Sequence, residues 1–139
     1  MLRRQNPKVD ELARLELFAA CTRRELEEIG RLADEVSVPA GTKLTREGTG
    51  GRECFVIADG EAVVRINGRD VAHVGPGDVV GEMSLLDRGP RSATVVATEA
   101  LTLFVMTAVQ FAEVADRFPS VARRVMQTLA LRLREAQAA

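Results

Sequence analysis

The sequence predicts a mainly β domain with helices at both ends, and three observations predict it. Apolar residues recur with a helical period over residues 9–35, short β-rich pieces cut by glycine fill 36–106, and the helical period returns over 107–137. A chain of 139 residues can bury one complete core and falls short of what two ordinary domains need, so a single domain over 1–139 is expected.

The N-terminal part reads VDELARLELF and then CTRRELEEIGRLADEV. Thr22 followed three residues later by Glu25 is a capping-box signature, and Leu26, Ile29 and Ala33, with Leu32 beside them, form one apolar stripe. Two short helices joined by a turn are expected.

The middle reads VSVPAGTKLTREGTGG, ECFVIADG, EAVVRING, RDVAHVGPGD, VVG, SATVVATE and ALTLFVM. Pieces of about four to seven residues with regular turn signals are the pattern of a sandwich or small barrel. Asn67-Gly68 marks a tight hairpin, because both residues accept the positive φ that a primed turn demands, and Asp59-Gly60 repeats the signal more weakly one hairpin earlier.

After Met106, TAVQFAEVADRF makes one helix, and Pro119 suits the first turn of the next, PSVARRVMQTLALRLREAQA. Its stripe is Ala122, Val125, Met126, Leu129, Leu133 and Ala136, with Arg123, Arg124, Arg132 and Arg134 on the more polar surface. This helix either closes against the β body or pairs with its twin, Val125, Leu129 and Leu133 forming the seam.

Composition narrows the function classes. Nineteen Lys and Arg against twenty Asp and Glu leave a net charge of -1, which supplies no general field for a nucleic acid backbone. Apolar residues at 46% and charged ones at 28% fit a globular chain. Cys21 and Cys54 have no Cys or His at ligand spacing and read as small buried or half-buried side chains, which fits a reducing cytoplasmic setting. The single histidine, His73, falls in an alternating strand pattern and reads as a strand residue, which leaves no metal cluster and no Ser/His/Asp system. The N-terminus lacks the apolar run of a signal peptide, and no stretch approaches about 18 apolar residues, so no membrane crossing by this chain is expected.

The stretch GEMSLLDRGPRSATV sets a carboxylate, Glu82, and a guanidinium, Arg91, at the two ends of an apolar, turn-forming segment. Gly75, Gly77 and Gly81 let the backbone turn sharply and aim successive N–H groups at one point, an arrangement that favours an anion. Arg91 adds a planar fork matching phosphate oxygens, and Ser92 adds a hydroxyl and an amide. Glu82 would repel a phosphate but accepts hydrogen bonds from a hydroxyl, which a ribose supplies. Two arginines, Arg88 and Arg91, no lysine and no GxxxxGK[ST] or GxGxxG run point to a single phosphate of low charge, best a cyclic monophosphate. The bland alternative is a surface pair between Glu82 and Arg91, which spacing alone leaves open.

PAGTKLTREG, FVIADGEAVV, VGPGDVVGEMSLL, PRSATV and FAEVADRFPSVARRV, leading to LALRLRE, resemble in that order the cyclic nucleotide-binding domain of catabolite-activator-like regulators, kinase regulatory subunits and gated channels. The resemblance covers roughly Leu12 to Arg134. It implies a β jelly-roll (double-stranded β-helix) with flanking helices and a phosphate-binding cassette. Carried over by position, Glu82 takes the ribose 2′-OH, and Arg91 neutralises the cyclic phosphate. Gly81, Met83 and Ser84 form the cassette turn with Leu85 beneath it, while Ser92 and Ala93 complete the phosphate contacts. Where activators place hydroxyl residues against the purine this chain has Ala136 and Gln137, so base contacts fall to Gln137, to Arg132 or Arg134, or to apolar groups.

The resemblance implies a non-enzymatic sensor for cyclic AMP, with cyclic GMP as the second ligand, no cofactor and no metal. Its partners would be a second copy through 119–137 or a separate effector domain or protein, without direct nucleic acid contact, since no winged helix-turn-helix, tandem domain or channel segment follows. A ligand-independent interaction or dimerisation module is the alternative. A phosphodiesterase would need a base beside the phosphate, and His73 precedes the cassette.

Overall fold

The computed structural model describes residues 7–81 and 90–138, without the side chains of residues 7, 128–129, 132–133 and 135–138. Helix α1 spans Pro7–Arg14, a single 3-10 turn spans Glu16–Phe18, and α2 spans Arg23–Leu32. Eight strands follow: β1 Asp34–Val38, β2 Lys43–Thr45, β3 Glu53–Asp59, β4 Ala62–Ile66, β5 Arg69–Val74, β6 Val79–Val80, β7 Thr94–Ala97 and β8 Leu101–Thr107. Helices α3 Ala108–Arg117 and α4 Pro119–Ala138 close the chain.

The strands form two antiparallel four-stranded sheets, ordered β1-β8-β3-β6 and β2-β7-β4-β5. The chain is therefore not the mainly β jelly-roll expected from sequence. It is a mixed α and β domain: α4 alone has 20 residues while no strand exceeds seven, and the ladders among the described residues leave the two sheets open, with no hydrogen-bonded closure into a barrel or roll. Helical length was legible in the period of the sequence. Sheet closure was not, since it depends on which strands pair.

Two apolar clusters explain the layering. Alternate residues of the first sheet, Cys54, Val56, Val79, Phe104 and Met106, meet Val9, Leu12, Phe18, Ile29, Phe111, Val114, Val121 and Val125 from the helices. The opposite set, Phe55, Ile57, Val80, Leu101 and Leu103, meets Ala62, Val74, Val95 and Ala97 of the second sheet. Strands β3 and β8 thus bury both faces, which is why their sequences are apolar without alternation.

Local signals produced the expected local structure. Thr22 accepts from the Glu25 amide at 3.2 Å and Glu25 accepts from the Thr22 amide at 2.8 Å, a complete capping box. Thr107 and Gln110 make a second one at the start of α3. Asn67 at φ 51 and Gly68 at φ 76 form the turn between β4 and β5. His73 is exposed on β5, Cys21 is half-buried and Cys54 is buried. Burial pushes the Cys21 thiol up from its ordinary pKa.

Two expectations fail for non-local reasons. Asp59-Gly60 does not close a hairpin: β3 pairs with β6 and β8, while β4 pairs with β5 and β7. Gly60, at φ 94, instead lets the chain cross between sheets where a side chain would strike the Ala100 carbonyl. On α4, Met126 is 68% exposed, whereas Val121 and Val125 face the helical core, so Val125 belongs to this chain's interior and not to a seam with a second copy.

Candidate anion site

Arg91 lies between the glycine-rich turn after β2 and the start of β7. Its amide donates to the Thr49 carbonyl at 2.8 Å, and its own carbonyl accepts from the Gly48 amide at 2.9 Å, so the residue is stitched to the preceding turn before its side chain does anything. The turn is braced in turn: Thr45 Oγ1 donates to the Ala93 carbonyl at 2.9 Å, and the Glu47 amide donates to Thr94 Oγ1 at 2.9 Å. Thr45 is the one buried polar side chain among the described residues, and this bond accounts for its burial.

The half-buried guanidinium is oriented by backbone oxygens of the first sheet. Nη2 donates to the Glu53 carbonyl at 2.9 Å and Nη1 reaches the Gly81 carbonyl at 3.4 Å. Gly81 sits at φ 87, and a β-carbon there would come within 2.6 Å of the Glu53 carbonyl oxygen and 2.7 Å of Arg91 Nη1. Glycine is required at 81 both by its backbone conformation and by the approach of the arginine.

The turn that delivers β6 to Gly81 is equally tied down. Asp78 accepts from the Gly75 amide at 2.8 Å through Oδ2, and the Ile57 amide donates to the Asp78 carbonyl at 2.9 Å. Gly77, at φ 90, donates to the Ile57 carbonyl at 2.8 Å. Strand β3 therefore holds both sides of the site, through Ile57 at one end and Glu53 at the other.

Of the residues expected from sequence, Gly81 and Arg91 are brought together. Ser92 is exposed beside Arg91, and Ala93 is half-buried with its carbonyl engaged by Thr45. Glu82, Met83, Ser84 and Leu85 lie outside the described residues, as do the side chains of Arg132, Ala136 and Gln137. Arg134 is exposed on α4, whose contacts run to α3 and to the turn at 16–18. The Glu53 and Thr49 carbonyls were missed by sequence reasoning because a backbone oxygen has no residue signature.

A second feature concerns α4. A cleft of about 320 Å³ is lined by Glu16, Pro76, Asp78, Arg124, Gln127 and Leu131, so α4 faces the same turn that leads through β6 to Gly81. Arg124 pairs with Glu16 at 3.3 Å and Arg117 with Glu28 at 2.7 Å, joining the C-terminal helices to the N-terminal ones. Among the described residues no group of three or more His, Cys, Asp or Glu side chains could hold a metal, and no helix is long and apolar enough to cross a membrane.

Residues 35–118 match the cyclic nucleotide-binding domain. The chain is 39% identical over 115 residues to the Pycsar effector protein XpPycTIR of Xanthomonas perforans, covering 81% of this chain and 38% of that protein. It is 37% identical over 103 residues to the cyclic AMP receptor protein of Thermus thermophilus, covering 70% and 48%. The crystal structure of the Thermus thermophilus catabolite activator protein superposes with a TM-score of 0.75 at 32% identity, over 88% of this chain and 60% of that one. A cAMP-binding acyltransferase from Mycobacterium smegmatis superposes with a TM-score of 0.80 at 26% identity, over 93% and 41%. The chain spans less than half the length of both curated relatives.

Proposed function

The chain belongs to the cyclic nucleotide-binding domain family, and from that premise we propose that it is a sensor with cyclic AMP as its preferred ligand. The module is regulatory and non-catalytic: its output is a change in population between arrangements of the same chain.

The observation that carries this reading is the Arg91 fork, held by the Glu53 carbonyl at 2.9 Å beside Gly81. A guanidinium oriented by backbone is prepared for the exocyclic oxygens of one cyclic phosphate ester, because little side-chain freedom is lost on binding. In this reading Glu82 accepts the ribose 2′-OH, and Gly81, Met83, Ser84 and Leu85 form the cassette. Ser92 and Ala93 complete the phosphate contacts, with Arg132, Arg134, Ala136 and Gln137 left to the base. The preference for cyclic AMP over cyclic GMP rests on the relatives named for cyclic AMP.

The cleft supports a route for the signal. Any shift of Gly81 is fed back through the two residues of β6 to the turn at 76–78, and α4 lies across that cleft. A ligand that favours one cassette arrangement then favours one setting of α4, and through it a second copy or an effector domain of a longer cytoplasmic chain. The exposed Met126 and Leu131 are the surface such a partner would cover.

Calorimetric titration with cyclic AMP, cyclic GMP and 5′-AMP, paired with light scattering, tests this. Cyclic AMP is expected to bind more tightly than cyclic GMP, and 5′-AMP more weakly than either because its dianion no longer fits a site built for one charge. An absence of heat with every nucleotide at millimolar concentration would remove the sensor reading and leave an interaction module on the same fold.

A further inference from the structure

We infer that Gly51 is a positioning residue for Arg91, acting through the side chain it lacks. Gly50 and Gly51 are neighbours in the turn before β3, and neither has the left-handed φ that would by itself demand glycine. Their surroundings differ. A β-carbon built on Gly50 meets nothing within 4 Å, whereas one built on Gly51 lies 2.5 Å from Arg91 Nε, 2.6 Å from Nη2 and 2.8 Å from Cζ.

The guanidinium therefore lies against the Gly51 α-carbon on one side and against Gly81 on the other, with the Glu53 carbonyl fixing its Nη2. The three atoms nearest that β-carbon all belong to the Arg91 side chain, so an alanine there has a backbone it can adopt and meets the fork as its first obstacle. To make room the guanidinium must shift, and because Nη2, the atom held by the Glu53 carbonyl at 2.9 Å, is itself overlapped at 2.6 Å, a displacement near an ångström strains that hydrogen bond.

The proposal rests on Arg91 as the phosphate-binding group and adds the residue that aims it. The test is a double-mutant cycle: Gly51→Ala and, as control, Gly50→Ala, each with Arg91 present and in an Arg91→Ala background, followed by thermal melting without ligand and by calorimetry with cyclic AMP. With Arg91 present, Gly51→Ala is expected to weaken cyclic AMP binding about ten- to a hundredfold and to lower the melting temperature, while Gly50→Ala changes neither. In the Arg91→Ala background the melting penalty of Gly51→Ala disappears, because its obstacle is gone.

An equal loss of melting temperature in both backgrounds would overturn the proposal in favour of a glycine needed by the turn alone, and so would wild-type affinity in Gly51→Ala. If the unaltered chain binds no cyclic nucleotide, the ligand reading fails, but the ligand-free melting cycle still decides whether residue 51 acts on Arg91.

Discussion

The two sheets have four strands each and differ in what covers them. In the first, β3 and β8 lie between the helices and the second sheet, and four consecutive residues of β3, Cys54 to Ile57, are buried. In the second, β5 exposes five of its six residues. Arg91 belongs to the entry of β7 in the open sheet, but the oxygens that aim its guanidinium belong to Glu53 and Gly81 on the covered one. A doubly buried strand has few ways to relax, so its backbone is a fixed reference. The site uses the rigid sheet to orient a side chain carried by the more exposed one.

The largest expected effect comes from the covered sheet. Phe104→Ala should lower stability by about 3–5 kcal/mol in denaturant unfolding, since the ring is fully enclosed between β8 and the helices. Val71→Ala on the open sheet should stay within about 0.5 kcal/mol, and comparable losses at the two positions would erase the contrast.

Next in size is the site. Arg91→Ala is expected to cost on the order of 3 kcal/mol of cyclic AMP binding, because the phosphate loses its charged partner in a half-enclosed place. Glu82→Ala should cost less, about 1 to 3 kcal/mol, as one charge-assisted bond to the sugar is removed. Calorimetry on the pair ranks them, and small, equal losses would put the ligand elsewhere.

Smaller still is the cap of α2. Thr22→Ala should cost about 1 kcal/mol in thermal or denaturant unfolding, and Thr22→Ser should recover most of it, because the hydroxyl is what serves the Glu25 amide. At the bottom stands Asp70→Asn. It breaks the ion pair with Arg65, 2.6 Å long on exposed strand faces, and should shift stability by less than about 0.5 kcal/mol, an effect that fades further as salt is added.

The features legible in the sequence share a short range. The Thr22 capping box and the Asn67-Gly68 turn involve partners one to three residues apart, and α4 runs over the stretch its period predicts. Arg91 was legible by chemistry, as a guanidinium beside a glycine-rich turn. Asp59-Gly60 was misread because its turn joins strands of different sheets, a fact settled by the pairing of β3 with β8 and of β4 with β7, strands far along the chain. Met126 fits the same helical stripe as Val125, yet only Val125 meets the core, since the period defines a face but not how much of it a neighbour covers.

The sequence by itself determined which stretches are helical, that Asn67-Gly68 accepts the positive φ of a tight turn, and that Arg91 follows a glycine-rich stretch, because these follow from side-chain chemistry and local backbone freedom. Only the tertiary structure decided that the chain is a mixed domain with two open sheets, that Glu53 offers its carbonyl and not its carboxylate to Arg91, and that Gly51 matters where Gly50 does not. Those outcomes depend on how closely distant backbone segments approach, and such approach is set by the packing of the whole core.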